Sequence, residues 1–384
     1  MDGNTIGDAI ARYRRARGLS QAELAERLAR VSGRPTVTRH DISRWERGVR
    51  TPRPFWLRHL AVALGVDPAT LAGEVDTGST AEAIRLAHEW LVSRPPQIRQ
   101  LSAGRRVGHE LAEVVERRVI ELRRLDDRLG GIDTLPLVER ELAAVAHVLD
   151  AASYTEVTGR RLLRAVGELA QVAGWVASDA GQYARAQRHY LQGVRAAHAA
   201  GDQLVAANLL SSLAYQVASV GPPRDAVLLA ATAVRGAEVA TGRVRALLLE
   251  RVAWAYARAG DAREADRVLA EVDEAFETAT DDEPDWVYWL DRGEIDIMAG
   301  RVNVELRRPL RAVPLLSAAI AGYDTSRARE VGLYETWLAE SYLQANELDA
   351  AAATLESAEA KAARIHSARL AARVRHVRRM LRRK

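Results

Sequence analysis

The sequence predicts an all-α protein in which a small helical bundle precedes an array of helix pairs. Three observations support this prediction: apolar residues make up 48% of the chain and aromatic residues only 5%, helix-capping motifs recur near the N-terminus, and small residues repeat every 39 to 47 positions further on. An excess of alanine and leucine over β-branched residues is typical of closely packed helices. Because 384 residues exceed the usual size of one hydrophobic core, we expect at least two domains.

The composition excludes several kinds of site. The chain has no cysteine, which excludes disulfides and thiolate chemistry, and its nine histidines never form HExxH or another tight pair, so we expect neither a metal site nor a cofactor. No uncharged apolar run is long enough to span a membrane, and the start MDGNTIGDAI lacks the features of a signal peptide. These features predict a cytoplasmic protein without a membrane partner.

Charge is distributed unevenly along the chain. Residues 1–75 carry 13 basic and 8 acidic side chains, whereas residues 76–360 carry 32 basic and 43 acidic ones. Residues 361–384 carry ten basic side chains and no acidic one. A basic N-terminal part followed by an acidic body indicates that nucleic acid would be bound at the N-terminal end.

Helix signals divide residues 1–75 into five predicted helices. The first is expected over residues 6–17. The second begins in SQAELAERL, where Ser20 and Glu23 form a capping box and an apolar face follows, made of Leu24, Ala25 and Leu28. The stretch PRPFWLRHLAVAL predicts a fourth helix, and a short fifth one is expected near Leu71. Helices this short are stable only when their apolar faces pack together, so this part should be a compact bundle.

The third helix, within TRHDISRWERG, separates apolar from cationic side chains. Thr38 and Asp41 form a second capping box, and Ile42 and Trp45 face the core. The outward face carries Arg39, His40, Ser43, Arg44 and Arg47. Arginine can pair with guanine edges, while Thr38 and Gln21 at helix N-termini suit phosphate oxygens, which predicts a contact with DNA. The alternative is an amphipathic surface helix whose charges are incidental.

The motifs GLSQAELAERL, ISRWERG and LAVALGV, in this order, resemble the phage-repressor (Xre) type of helix-turn-helix DNA-binding domain over residues 5–72. The resemblance implies that the helix with Ser43 and Arg44 enters the major groove and that Gln21 touches the DNA backbone. It also implies an internal ion pair between Arg14 and Glu46. The segment ARVSGRP, residues 29–35, departs from the family because its residues extend the usual short turn. Its two arginines, Arg30 and Arg34, would either contact phosphates or remain solvated.

Residues 76–157 are predicted to be a linker and connecting helices, and residues 158–384 a repeat domain with a capping helix at its end. In the repeats a turn residue precedes an alanine by five positions, at Gly181, Gly221, Gly260, Arg307 and Asn346. A small residue stands twelve positions before each alanine. The pattern resembles the tetratricopeptide repeat, with longer units, and implies stacked helix pairs with a concave face.

The first helix of each pair is expected to line the concave side. One wall would carry nine candidate ligand contacts: Gln171, Trp175, Asn208, Ser211, Tyr215, Glu250, Trp254, Glu294 and Arg301. A binding cleft needs apolar area and a few fixed polar groups, and this wall offers both. We expect Asn208 to contact the ligand, because an amide both donates and accepts. The alternative for Trp175 and Trp254 is packing between repeats.

Aromatic and acidic residues concentrate in DEPDWVYWLDRGEIDIMAG, residues 282–300. Paired carboxylates can serve acid–base catalysis, but the sequence has no accompanying nucleophile, metal cluster or phosphate-binding loop, so no catalytic residue is assigned. We interpret the segment as the entrance of the concave groove, attracting a cationic or peptide ligand.

A helix-turn-helix head on a tetratricopeptide-like body resembles the signal-sensing regulators of Gram-positive bacteria, including quorum regulators. The resemblance implies a homodimer on double-stranded DNA, at a pseudo-palindromic operator, with a peptide or small-molecule effector bound in the repeats. Two alternatives remain: a protein-interaction scaffold that the head only localises to DNA, and an enzyme acting on nucleic acid or a metabolite.

Overall fold

The computed structural model of the chain describes residues 6–33, 36–47, 49–50, 52–64, 80–96, 106–129, 131–324, 327–365 and 367–384. Helices dominate these residues, and apart from an isolated bridge between Arg106 and Ser153 they contain no β-structure. The prediction of an all-α chain is therefore confirmed. The chain divides into two compact units, Met1–Thr77 and Gly78–Lys384.

The first unit contains α1 (Ile6–Ala16), α2 (Gln21–Ser32), α3 (Arg39–Glu46) and α4 (Pro54–Leu64). The capping box of α2 is formed as expected, since the amide of Ser20 donates to Glu23 Oε2 at 2.6 Å and the amide of Glu23 donates to Ser20 Oγ at 3.2 Å. Gly48 and the fifth helix expected near Leu71 lie outside the described residues. Four of the five predicted helices are thus present among the residues described.

Large apolar side chains from all four helices form the core of the first unit. Six of them are fully buried: Ile10, Leu24, Leu28, Ile42, Leu60 and Leu64. Trp45 is also buried, as predicted, and its ring lies 6.4 Å from that of Trp56. Helices α1 and α3 approach closely at Gly7, where a Cβ atom would lie 2.4 Å from the carbonyl oxygen of Trp45. Glycine at this position therefore lets the two backbones touch.

The additional residues between α2 and α3 lengthen a helix. Helix α2 continues through residues 29–32 and ends at Gly33, whose φ of 66° is the left-handed conformation that terminates many helices. We expected residues 29–35 to extend the turn, but residues 29–32 belong to α2. These four residues form about one extra turn of the helix. Arg30 is exposed on that turn, and Arg34 lies outside the described residues.

The second unit begins with α5 (Thr80–Val92), α6 (His109–Leu129) and α7 (Gly131–Ala151). Five consecutive helix pairs follow among the described residues: α8 (Glu156–Asp179) with α9 (Tyr183–Ala200), α10 (Gln203–Val220) with α11 (Pro223–Gly236), α12 (Gly242–Ala259) with α13 (Ala262–Glu277), α14 (Arg292–Glu305) with α15 (Pro309–Ala321), and α16 (Ala328–Gln344) with α17 (Leu348–Ala362). A 3₁₀ turn, Asp285–Val287, precedes α14, and α18 (Ala368–Leu381) ends the chain. In the part of the chain that the structure describes, no helix is both long and apolar enough to cross a lipid bilayer.

The repeat pattern reflects close packing within each helix pair. A Cβ atom on Gly174 would lie 2.4 Å from the ring of Tyr190, and one on Gly300 would lie 2.7 Å from Leu316. The small residue of one helix therefore receives the large residue of its partner. Four of the five turns share a left-handed backbone, with φ of 76° at Gly181, 79° at Gly260, and also 55° at Arg307 and 63° at Asn346, whereas Gly221 is extended, with φ of −125°. The turn conformation thus persists in two units that have lost the glycine.

Two helices outside the pairs cover the concave side of this unit. Arg123 of α6 pairs with Glu168 of α8 at 2.8 Å and with Asp285 at 3.0 Å. At the start of α18, Ser367 Oγ donates to Asp179 of α8 at 3.3 Å. The last helix therefore contacts the first repeat, 188 positions earlier in the chain. The capping helix expected at the end of the repeat domain is α18, whose apolar side packs against α16 and α17 and buries Leu370 and Val377.

Candidate functional site

The outward face of α3 is cationic and accessible. Arg39, His40, Arg44 and Arg47 are exposed and Ser43 is half-buried, which is the orientation that the sequence predicted. Among the described residues, the guanidinium groups of Arg39 and Arg44 have no hydrogen-bond or ion-pair partner. Two guanidinium groups without partners, among further exposed polar side chains, make a surface that suits an anionic partner.

The start of α3 is held in place by its own cap. The amide and the hydroxyl of Thr38 both donate to Asp41 Oδ2, at 3.0 and 2.9 Å. The hydrogen bond from the Thr38 amide is the largest cause that lowers the pKa of the Asp41 carboxyl, although partial burial opposes it. The amide and the hydroxyl of Thr38 both already donate to Asp41. The hydroxyl can therefore donate to an external phosphate only by sharing that proton. The helix N-terminus itself remains the stronger phosphate site.

Arg14, Gln21 and Glu46 form one hydrogen-bonded cluster that connects α1, α2 and α3. Arg14 donates from Nε to Glu46 Oε1 at 2.6 Å and from Nη2 to Oε2 at 3.0 Å. The amide of Gln21 donates to the same Oε2 at 2.7 Å. The hydrogen bond that Arg14 donates to the Glu46 carboxylate raises the pKa of Arg14 against the opposing effect of burial. The ion pair implied by the family resemblance is present, and Gln21 donates to its carboxylate, which leaves the second Nε2 hydrogen and the amide oxygen of Gln21 for other contacts.

The second unit contains a partly open cavity of about 200 Å³. Its walls come from the first helices of the five pairs, from α6, from the segment before α14 and from the start of α18. The aromatic lining residues are Trp175, Tyr215, Trp286, Tyr288, Trp289 and Tyr334. The basic ones are Arg123, Arg251, Arg301, Arg327, Arg329 and Arg369. The cavity therefore combines flat apolar surfaces with an unusual density of guanidinium groups.

The cavity contains six of the nine candidate ligand contacts: Gln171, Trp175, Asn208, Tyr215, Glu294 and Arg301. The other three, Ser211, Glu250 and Trp254, do not line it. Ser211 is buried and donates to the carbonyl of Asn208, Glu250 is buried beside Arg251, and Trp254 lies between Tyr215 and Trp337. Ser211 and Glu250 are engaged by residues of their own helices, and only Trp254 contacts neighbouring helices. A helical period of 3.6 residues distributes the repeat positions over more than one face.

Asn208 and Gln171 differ in their freedom to bind a ligand. Gln171 Nε2 donates to Ser212 Oγ at 3.3 Å, so its amide is already engaged. Asn208 is buried at the cavity, and its side-chain amide has no hydrogen-bond partner within the described part of the chain. A buried amide without a partner costs free energy unless water or a ligand satisfies it. Asn208 is therefore available for contact.

The acidic residues of segment 282–300 have structural roles. Asp285 pairs with Arg123 and with Arg124, at 3.0 and 2.8 Å. The carboxylate of Glu283 accepts the amide of Arg243 at 3.0 Å, and Asp291 caps α14. These carboxylates are neutralised by arginines and backbone amides. The prediction that the segment attracts a cationic ligand has no support in this geometry.

Glu294 is the one acid of this segment that is deeply buried at the cavity. Tyr334 donates to both of its oxygens, at 2.8 and 2.9 Å, and Tyr323 donates to Oε1 at 2.5 Å. Burial raises the pKa of Glu294 and outweighs the opposing effect of these two hydroxyls. Within the described residues, no group of histidine and carboxylate side chains has the geometry of a metal site.

Sequence reasoning missed most of the arginines of the cavity. Arg123 lies on α6, Arg369 on α18, and Arg329 near the start of α16, and none of them follows the register of the concave wall. The ten basic residues of the C-terminal segment were the available signal. Their pattern indicates a helix, but it does not reveal which of them point inward.

The clearest similarity to known proteins lies in the first unit. A family model described as "Helix-turn-helix domain" matches residues 5–72. No curated protein matches the chain. Among solved structures, the crystal structure of Bacillus thuringiensis PlcR in complex with the peptide PapR7 and DNA aligns over 100% of both chains, with 12% sequence identity and a TM-score of 0.37.

The family match and the structure of the first unit coincide. The matched range contains α1 to α4, the Arg14–Glu46 pair and the exposed face of α3. It covers the three motifs that carry the resemblance found in the sequence. Residues 5–72 therefore form a helix-turn-helix domain.

Proposed function

We propose that this protein is a DNA-binding transcriptional regulator whose second unit binds a signal. The exposed cationic face of α3, held on a buried apolar face by Ile42 and Trp45, is the observation that carries the proposal. An α-helix fits the major groove of B-DNA, where base edges are distinguishable by their donors and acceptors. As part of this proposal, the protein acts in the cytoplasm and is not an enzyme.

The residues of α3 have separate roles in this proposal. Arg44, and Arg39 at the first turn, donate two hydrogen bonds each to guanine O6 and N7. His40 and Ser43 contact neighbouring bases, while Arg47, Thr38 and Gln21 contact phosphates and position the helix. Base contacts select the sequence and phosphate contacts supply most of the affinity. The Arg14–Glu46 pair fixes the angle of α3 without touching DNA.

The arrangement favours a homodimer on a pseudo-palindromic operator. Helix-turn-helix domains contact only a few base pairs each, so two copies on half-sites about one helical turn apart provide the required specificity. A signal bound in the cavity then regulates DNA binding if it is bound more tightly in one of two arrangements of the dimer. The effector is a peptide or a small molecule. Sedimentation of the full chain with and without a selected duplex tests the stoichiometry.

Substitution of Arg44 tests the function directly. Duplexes are first selected from a random pool by the full-length protein, and binding is then compared for the native chain and Arg44→Ala. Loss of a bidentate guanine contact should weaken binding to the selected duplex by about 1–3 kcal/mol and relax specificity at one position of each half-site. Arg267→Ala, which changes an exposed arginine of the second unit, is the matched control. Unchanged sequence selectivity in Arg44→Ala would contradict the role of α3.

A further inference from the structure

Three arginines surround the ring of Tyr215 at one end of the cavity. The guanidinium carbons of Arg251, Arg301 and Arg369 lie 4.5, 5.3 and 6.0 Å from the ring centroid. Arg301 Nη2 also donates to the hydroxyl of Tyr215 at 2.7 Å. These side chains come from α12, α14 and α18, so the cluster exists only because α18 closes over the repeats.

The carboxylates near this cluster do not balance its charge. Arg251 lies 3.0 Å from Glu250, and Arg369 lies 3.9 Å from Asp179. Arg301 has no ion-pair partner in the described part of the chain, although it is only 5% exposed. Its Nε atom is buried and has no hydrogen-bond partner among these residues.

A buried guanidinium without a carboxylate is unfavourable unless something compensates it. The guanidinium carbon of Arg301 lies 4.8 Å from the ring centroid of Trp254 and 5.2 Å from that of Trp337. Aromatic faces attract a cation, but more weakly than a carboxylate bonded through both oxygens. Arg373 offers a contrast, because it stacks on Trp337 and also pairs with Glu340 at 2.6 Å.

The electrostatic environment of Tyr215 independently indicates positive potential. Burial of its hydroxyl raises the pKa, but the charges of Arg301, Arg369 and Arg251 together outweigh burial and lower the pKa to about 8. Two acids elsewhere in the cavity are shifted toward their neutral forms. Burial raises the pKa of Glu294 and raises that of Asp126 to about 6.

The size of the cavity limits what it can hold. A cavity of about 200 Å³ is somewhat larger than the roughly 150 Å³ that accommodates benzene, and smaller than the ~300 Å³ at which pockets for drug-sized ligands begin. Next to the arginine cluster, the guanidinium carbon of Arg369 lies 5.5 Å from the ring of Trp175, which stacks on Tyr215. Leu247 and Met298 complete an apolar surface there. One aromatic ring with a charged substituent matches both the volume and the lining.

We infer that the cavity binds a small organic anion, with its carboxylate or phosphate against Arg301, Arg251 and Arg369 and its apolar body beside Trp175. The anion supplies the missing partner of Arg301. The unpaired amide of Asn208 is available to a polar substituent of the same ligand. This inference rests on the proposed function in one respect: ligand binding in the cavity is the signal that regulates DNA binding.

Calorimetric titration of the full chain with three single-ring probes tests the inference. Benzoate and phenyl phosphate carry the two anionic groups, and benzamide is a neutral analogue of benzoate. We expect saturable binding of at least one anion and at least tenfold weaker binding of benzamide. The anion that binds more tightly identifies carboxylate or phosphate as the recognised group. Equal affinity for benzamide, or no binding of either anion, would overturn the inference.

Variants of Arg301 assign the binding to this cluster. Arg301→Gln should weaken anion binding at least tenfold, and Arg301→Lys, which keeps the charge without the planar donors, should weaken it less. Arg267→Gln is the control for an exposed arginine, and helix content by circular dichroism confirms folding. If Arg301→Gln fails to fold, Arg369→Gln serves instead, and it should weaken anion binding at least tenfold because it removes another guanidinium of the cluster. A folded Arg301 variant that binds the anion like the native chain would refute the assignment.

The two proposals can fail separately. Anion binding without any operator binding in the native chain would overturn the regulator and keep the ligand class. Operator binding without anion binding would overturn the ligand class alone. Anion binding that changes operator affinity by tenfold or more supports both, because binding at one site must then be coupled to binding at the other.

Discussion

Arg14 and Glu46 stand 32 positions apart in the chain and pair through two hydrogen bonds, which connect the first helix of the helix-turn-helix domain to the third. The side chains are 11% and 7% exposed. Glu46 also accepts from Gln21, so a single carboxylate holds three helices together. The pair therefore determines the orientation of the exposed face of α3.

Removing the charge of Glu46 should destabilise the first unit. Glu46→Gln leaves Arg14 buried without a carboxylate, which typically costs about 3 kcal/mol. Hydrogen exchange of the amides of α1 and α3 in the full chain measures the change. The exposed pair Arg85–Glu89 is the control, and Glu89→Gln should cost less than about 0.5 kcal/mol. Equal effects of the two substitutions would show that burial of the Arg14–Glu46 pair is unimportant.

The turn at Arg307 should be improved by glycine. Arg307 is exposed and has a φ of 55°, a conformation that costs an L-residue roughly 1–2 kcal/mol and glycine very little. After the greater entropy of glycine in the unfolded chain is subtracted, Arg307→Gly should stabilise the second unit by about 0.5–1 kcal/mol. Denaturant unfolding measures this change. Arg311→Gly, in the first turn of α15, should instead destabilise by up to about 1 kcal/mol.

The buried carboxyl of Asp126 should make stability depend on pH. Burial raises its pKa from 3.8 to about 6, although Arg329 opposes the shift. Between pH 4 and 6 the unfolded chain loses this proton first, so the free energy of unfolding should fall as pH rises through this window. The two-unit shift corresponds to roughly 3 kcal/mol as an order of magnitude. The difference in unfolding free energy between the native chain and Asp126→Asn should show this slope, and a flat difference would contradict it.

Tyr215 should ionise at unusually low pH. The charges of the neighbouring arginines overcome burial and lower its pKa to about 8, against 10.0 for an ordinary tyrosine. An ultraviolet absorbance titration should therefore show a tyrosinate with a midpoint near pH 8 that is missing in Tyr215→Phe. Since the folded chain loses the proton first, this group should add stability as pH rises from about 8 to 10. Arg301→Gln should raise the midpoint, and an unchanged midpoint would show that Arg301 does not set it.

The sequence by itself determined the helices and the identity of the first unit. A capping box places its partners three residues apart, as at Ser20 and Glu23, and an apolar face repeats within two turns. Both features depend on residues that are close together in the chain, so they can be predicted from the sequence. The register of the repeats is also local, and six of the nine residues it selected, among them Tyr215 and Arg301, line the cavity.

Only the tertiary structure decided what the cavity contains. Arg369 meets Tyr215 across more than 150 positions of sequence, and Arg123 reaches Glu168 and Asp285 from a helix before the repeats. Whether an arginine is solvated or enclosed depends on how the repeats curve and on where α6 and α18 pack, and both follow from the sum of many non-local contacts. The sequence shows that residue 301 is an arginine, but it does not show whether a carboxylate lies opposite the guanidinium. Among the described residues, only the packing of the helices leaves Arg301 without such a partner.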